Sequence, residues 1–112
     1  MDKQTALQAL AGLAQESRLD IYRLLVERGP GGVPAGEIAN KLGMPNTTLS
    51  FHLKELSHAG LITGRSEGRF VFYSPNFTAV DGLISYLTDN CCRDAGCKVA
   101  CVPTTKSKRR AA

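Results

Sequence analysis

No run within the 112 residues comes near the roughly 20 apolar residues needed to span a bilayer, and no charged-then-apolar leader opens the chain. A membrane span and export are thereby set aside, and a soluble, cytoplasmic protein is expected. Tryptophan is absent, aromatic residues make up only 6%, and no internal repeat appears. No glycine-rich phosphate loop follows any extended run, and neither His52 nor His58 lies near a cysteine in sequence. A nucleophile would lack both a base and an anion-holding loop, so no enzyme is expected. Cysteine is missing from the first three-quarters of the chain; all four lie at Cys91, Cys92, Cys97 and Cys101. In a reducing compartment such clustering points to soft-ion or redox chemistry rather than a disulfide framework.

What the chain does have is a modest basic excess, 14 Lys and Arg against 10 Asp and Glu. A net charge of +4 suits a polyanionic partner. The length allows one small domain, residues 1–90, followed by a cysteine-bearing segment and basic tail, residues 91–112. A monomer of this size buries only about two-thirds of its unfolded surface, so a second subunit would add stability.

The most informative stretch reads P-N-T-T-L-S-F-H-L-K-E-L-S-H-A-G, residues 45–60. Leu49, Leu53 and Leu56 recur at helical spacing and draw one apolar stripe. Asn46 or the threonines can cap the start, and Gly60 stops the helix. Thr47, Ser50, Phe51, Lys54 and His58 then fall on the outward face. Short hydroxyls let a helix approach base edges, and Lys54 can reach a phosphate. His52, at the margin of the stripe, reads as packed or capping rather than as a ligand.

In chain order, residues 5–14 form a helix with Leu7, Leu10 and Leu13 beside small alanines. Residues 16–28 carry a broad apolar face of Leu19, Ile21, Leu24, Leu25 and Val26, as in a central core helix. The G-P-G-G at residues 29–32 breaks the chain, and residues 34–42 form a short helix ended by Gly43. Two short helices joined by a glycine-containing turn make a helix-turn-helix. Residues 61–65 and 69–73 are extended runs around S-E-G, a hairpin whose tip carries Arg65 and Arg69. Pro75 closes it, Asn76 offers a cap, and residues 77–90 form the last helix. The reading is a mostly α fold with a small β-hairpin, a winged helix-turn-helix. The first and last helices are too apolar to be covered by their own chain, so a homodimer through both is inferred.

The residues E-S-R-L-D-I-Y-R-L-L (16–25) and T-T-L-S-F-H-L-K-E-L-S-H-A-G-L-I (47–62) resemble the arsenic-repressor (ArsR/SmtB) family of bacterial metal-sensing repressors. The resemblance, running from about Leu7 to Cys92, implies a dimeric repressor that leaves its operator when a metal or metalloid binds. It places DNA reading on residues 46–59, with Asn46, Thr47, Ser50, Phe51 and Lys54 as contacts. It places the wing on residues 65–69, whose Arg65 and Arg69 can straddle a sugar-phosphate backbone or enter a minor groove. Two departures are visible: residues 33–42 contain no cysteine, and no histidine follows His58.

The cysteine cluster C-C-x4-C-x3-C is left as the ligand site. Soft ions select thiolates, and trivalent arsenic or antimony takes three in a pyramid. Adjacent thiols with a third a short loop away resemble the carboxy-terminal arsenite site of some family members. The expected ligands are Cys91, Cys92 and Cys97, with Cys101 as a substitute, and arsenite or antimony as inducer. Open beside this stand thiol redox sensing, cadmium or zinc sensing, a structural zinc site, unused surface thiols and a non-regulatory metalloid-binding protein.

Overall fold

The computed structural model describes residues 1–92. Cys97, Cys101 and the basic tail named above lie outside the described residues. The elements are α1 (Lys3–Leu13), α2 (Glu16–Arg28), β1 (Val33–Pro34), α3 (Ala35–Leu42), α4 (Asn46–His58), β2 (Ile62–Glu67), β3 (Phe70–Pro75) and α5 (Phe77–Thr88).

Local chemistry sets most of these boundaries. Asp2 Oδ1 accepts the Thr5 N–H at 2.9 Å and starts α1. Its hydrogen bonds with Thr5 hold the Asp2 carboxyl below the usual carboxylate range. Gln15 Oε1 caps α2 through the Arg18 N–H at 2.9 Å, and Arg18 Nε reaches back to the Gly12 carbonyl at 2.7 Å. α3 ends at Gly43, whose φ of +63° lies in the left-handed region. There the Met44 N–H turns back to the Ala39 carbonyl at 3.0 Å, a closure glycine makes at little cost.

The core is drawn from every helix. Ile21 and Leu25 of α2, Ile38 of α3, Leu49 and Leu56 of α4, and Leu61 beyond it are fully buried. Ala6, Ala9 and Gly12 form the buried side of α1, while Leu7 and Leu10 face outward. In α5 only Leu83 is buried, and Phe77, Ile84 and Leu87 are exposed.

Four expectations need correction. The extended structure is a three-stranded antiparallel sheet of order β1-β3-β2, not a lone hairpin. Val33 and Pro34 pair with Tyr73 and Phe72, so the third helix starts at Ala35. Two residues are too short for an alternating pattern, which is why this strand left no periodic signal. On α2, Leu19 and Val26 are exposed and Tyr22 takes the buried place. α5 stops at Thr88, leaving Asp89 and Asn90 in the following turn.

The small side of α1 lies very close to the end of α4. A methyl group on Gly12 would stand 2.7 Å from Ala59 Cβ and 3.1 Å from Leu61 Cδ1. Ala59 Cβ is fixed to backbone and cannot rotate away. Gly12→Ala should therefore lower stability by up to about 2 kcal/mol, the difference between overpacking of about 1–3 kcal/mol and the roughly 1 kcal/mol gained in helix propensity. Gly36→Ala, where nothing lies within 4 Å, should leave stability level or slightly raised. Urea unfolding midpoints at one protomer concentration measure both.

Candidate nucleic-acid interface and thiol turn

The stripe of α4 sorts its side chains as the spacing requires. Leu49, Leu53 and Leu56 are buried, and Asn46, Thr47, Thr48, Ser50, Phe51, Lys54 and His58 are exposed. His52 is buried with them, and its Nδ1 has no partner among the described residues. Phe51 is 55% exposed, so it does not pack beneath the sheet, and its ring meets His52 edge-on at 5.6 Å.

The start of α4 differs from expectation. Pro45 occupies the capping position, Asn46 is already helical, and no side chain caps the first turn. The first-turn N–H groups are thus left to solvent or to an anion, where the helix dipole favours negative charge. An open cleft of ≈ 420 Å³, lined by Ala39, Asn40, Gly43, Met44, Pro45 and Asn46, lies against the turn between α3 and α4. Neither feature could be read from residue types, because both are backbone properties of the turn.

The two arginines of the hairpin separate. The strands run longer than expected and the turn is Gly68-Arg69, with Gly68 at φ +66°. Arg69 is at the tip. Arg65 lies down the strand, opposite Phe72, with its guanidinium over that ring at 5.5 Å. Its Nε donates to Glu67 Oε2 at 2.8 Å and its Nη2 to the Gly31 carbonyl at 3.2 Å. Phe72 also pairs with Pro34, so Arg65 straddles β3 and ties the hairpin to the loop before β1. The side chains of Lys54 and Arg69 have no ion pair or hydrogen bond among the described residues, and both can turn to an incoming phosphate.

The cysteine pair lies just past α5. The Cys91 N–H donates to the Thr88 carbonyl at 3.0 Å, and Asn90 and Cys92 have φ of +62° and +57°. Asparagine tolerates that region; cysteine enters it at a cost of about 1–2 kcal/mol. The turn brings Cys91 Sγ, as donor, to 3.6 Å from Cys92 Sγ. That hydrogen bond pushes the Cys91 thiol up from its ordinary range. Both thiols are exposed. Among the described residues no group of three or more His, Cys, Asp or Glu could hold a metal ion; Cys91 and Cys92 alone do not make a three-thiolate site.

A helix-turn-helix whose second helix carries a polar, cationic face, followed by an arginine-tipped hairpin, defines a winged helix-turn-helix protein. A family described as a helix-turn-helix domain matches residues 13–65. The transcriptional activator HlyU of Vibrio cholerae is 33% identical over 89 residues, 78% of this chain and 80% of that protein. Its solved structure superposes with a TM-score of 0.64 at 32% identity, covering 82% of this chain and 99% of that one. The arsenical resistance operon repressor of Bacillus subtilis is 34% identical over 85 residues, 76% of this chain and 77% of that protein. A homodimeric winged helix-turn-helix DNA-binding domain from Mycobacterium bovis, a possible ArsR-family regulator, has a TM-score of 0.62 and 29% identity, covering 78% and 81%. The chain belongs to the ArsR/SmtB family of transcriptional regulators.

Counterion release separates the cations experimentally. Each phosphate neutralised contributes about 0.9 to the slope of log affinity against log salt. Lys54→Ala and Arg69→Ala should each reduce that slope by about 0.9 per protomer bound, measured by fluorescence anisotropy on a labelled duplex between low and moderate salt.

Proposed function

We propose that this protein is a homodimeric repressor that holds an inverted-repeat operator and releases it when trivalent arsenic or antimony binds Cys91, Cys92 and Cys97. The observation that carries the ligand assignment is the turn after α5, which presents two thiols 3.6 Å apart at the end of a helix with an uncovered apolar side. Exposed Leu7 and Leu10 of α1, with Phe77, Ile84 and Leu87 of α5, support a dimer through the first and last helices, as does the homodimeric relative from Mycobacterium bovis. The arsenical resistance repressor of Bacillus subtilis among the relatives supports the inducer class. No helix among the described residues is long and apolar enough to cross a membrane, which agrees with a cytoplasmic location.

In this reading α4 of each protomer enters a major groove, the two about one helical turn (~34 Å) apart. Asn46, Thr47, Ser50 and Phe51 meet bases, and Lys54 and Arg69 meet phosphates. Arg65 adds a phosphate contact only by loosening its hold on Glu67 and Gly31. The inducer joins the thiol turn to a sulfur from the following segment, with Cys101 able to replace Cys97, and changes the position of α5. The ligand acts only through its preference between two dimer shapes, about 1–3 kcal/mol in allosteric proteins.

Arsenite should release the reduced wild-type protein from operator DNA in a gel-shift titration, with Cys92→Ser remaining bound at tenfold higher arsenite. Normal release of that variant overturns the site. Release by peroxide alone, or by cadmium or zinc at lower concentration, favours redox or soft-metal sensing instead.

A further inference from the structure

Residues Ala59, Gly60 and Leu61, at the end of α4, are held from two sides by the two helices with uncovered apolar faces. From α1, Gly12 lies so near that Ala59 and Leu61 leave no room for a methyl group. From the start of α5, Asn76 makes three hydrogen bonds through its backbone N–H and side-chain amide, besides those its carbonyl accepts from the Ala79 and Val80 N–H groups. Its backbone N–H donates to the Leu61 carbonyl at 2.8 Å. Its Nδ2 donates to the Gly60 carbonyl at 3.1 Å, and its Oδ1 accepts the Ala79 N–H at 3.3 Å, capping α5. Gly60 has φ +77° and Leu61 is fully buried, so the chain here is turned sharply and anchored in the core.

One hydrogen bond between two helices leaves a pivot, whereas donors to two successive carbonyls fix a direction. Asn76 supplies both donors from one residue, and its cap ties them to the first turn of α5. The main-chain bond continues the ladder in which Ile62 faces Pro75; the side-chain amide adds a second attachment one residue nearer α4.

We propose that Asn76 is a positioning residue that fixes the angle between α4 and α5, and so the half-site spacing the dimer accepts on DNA. The inference rests on the reading that α5 joins two protomers and α4 enters the groove. Asn76→Ser and Asn76→Asp both keep an oxygen for the Ala79 N–H; aspartate has no donor for Gly60, and serine replaces the amide N–H with a hydroxyl on a side chain one atom shorter. Asn76→Asp also sets an acceptor against that carbonyl.

The probe is a duplex enriched by the full-length wild-type protein from a random-sequence library. Beside it are measured versions with the two half-sites moved apart by one and two base pairs, and a single half-site. Both variants should remain dimeric, melt near wild type and bind the single half-site within about twofold. Their preference for the enriched spacing over the displaced ones should fall at least fivefold. A wild-type spacing preference in a folded variant overturns the proposal. So does an equal loss on every duplex, the result a merely structural residue would give. Should Asn76→Ser not fold, Asn76→Asp, with the stronger capping group, decides the matter. If wild type enriches no duplex at all, the DNA-reading assignment of α4 falls and this proposal with it.

Discussion

The burial of one side of α4 is the constraint on which the rest depends. Leu49, Leu53 and Leu56 go into the core with Leu61 beyond them, and at 3.6 residues per turn this leaves the hydroxyls, Asn46, Phe51, Lys54 and His58 to face outward. Truncating one such leucine to alanine typically costs about 2–5 kcal/mol, against a total stability of about 5–15 kcal/mol for a domain. The outward face is therefore held in orientation by the core. A surface helix without that stripe could rotate and would present no fixed set of side chains to a groove.

What could be read from the residues is whatever hydrophobic period and turn chemistry determine. The stripe of α4, the stop at Gly43, the cap at Asn76 and the bounds of α2 follow from them. β1 did not, since Val33 and Pro34 become a strand only because β3 lies beside them. The two hairpin arginines are the same residue four positions apart, and spacing gave both to the tip. Their separation depends on where the turn falls, at Gly68-Arg69, and on Phe72 and Gly31, which the fold brings under Arg65. The uncapped start of α4 was hidden for a related reason: Pro45 takes the capping position, so the hydroxyls and amide behind it sit one step too late.

α1 shows how a helix can be amphipathic by size rather than polarity. Its inner side is Ala6, Ala9 and Gly12, and its leucines are outside. Small residues inside let the backbone of α1 come against α4, as the crowding at Gly12 shows. Large residues outside leave apolar surface that water covers unfavourably, about 25 cal/mol for each Å². α5 repeats the arrangement, with Leu83 inside and Ile84 and Leu87 outside. Both helices therefore have two contacts to satisfy: an inner one, α1 against both α4 and α5 and the cap of α5 against the turn after α4, and, in the proposed dimer, an outer one to a second protomer.

That double attachment bears on how small a displacement the proposed regulation requires. α5 has 12 residues, about 18 Å of helix, with Asn76 at one end and the thiol turn just past the other. A single intramolecular hydrogen bond contributes about 0.5–1.5 kcal/mol, the same scale as the 1–3 kcal/mol by which an inducer typically shifts affinity. A tilt of α5 that stretched only the bond from Asn76 to Gly60 in each protomer would thus alter operator binding by a useful factor with the core undisturbed. The leucines of α4 could stay buried throughout, and only the angle at which the two reading helices meet DNA would change.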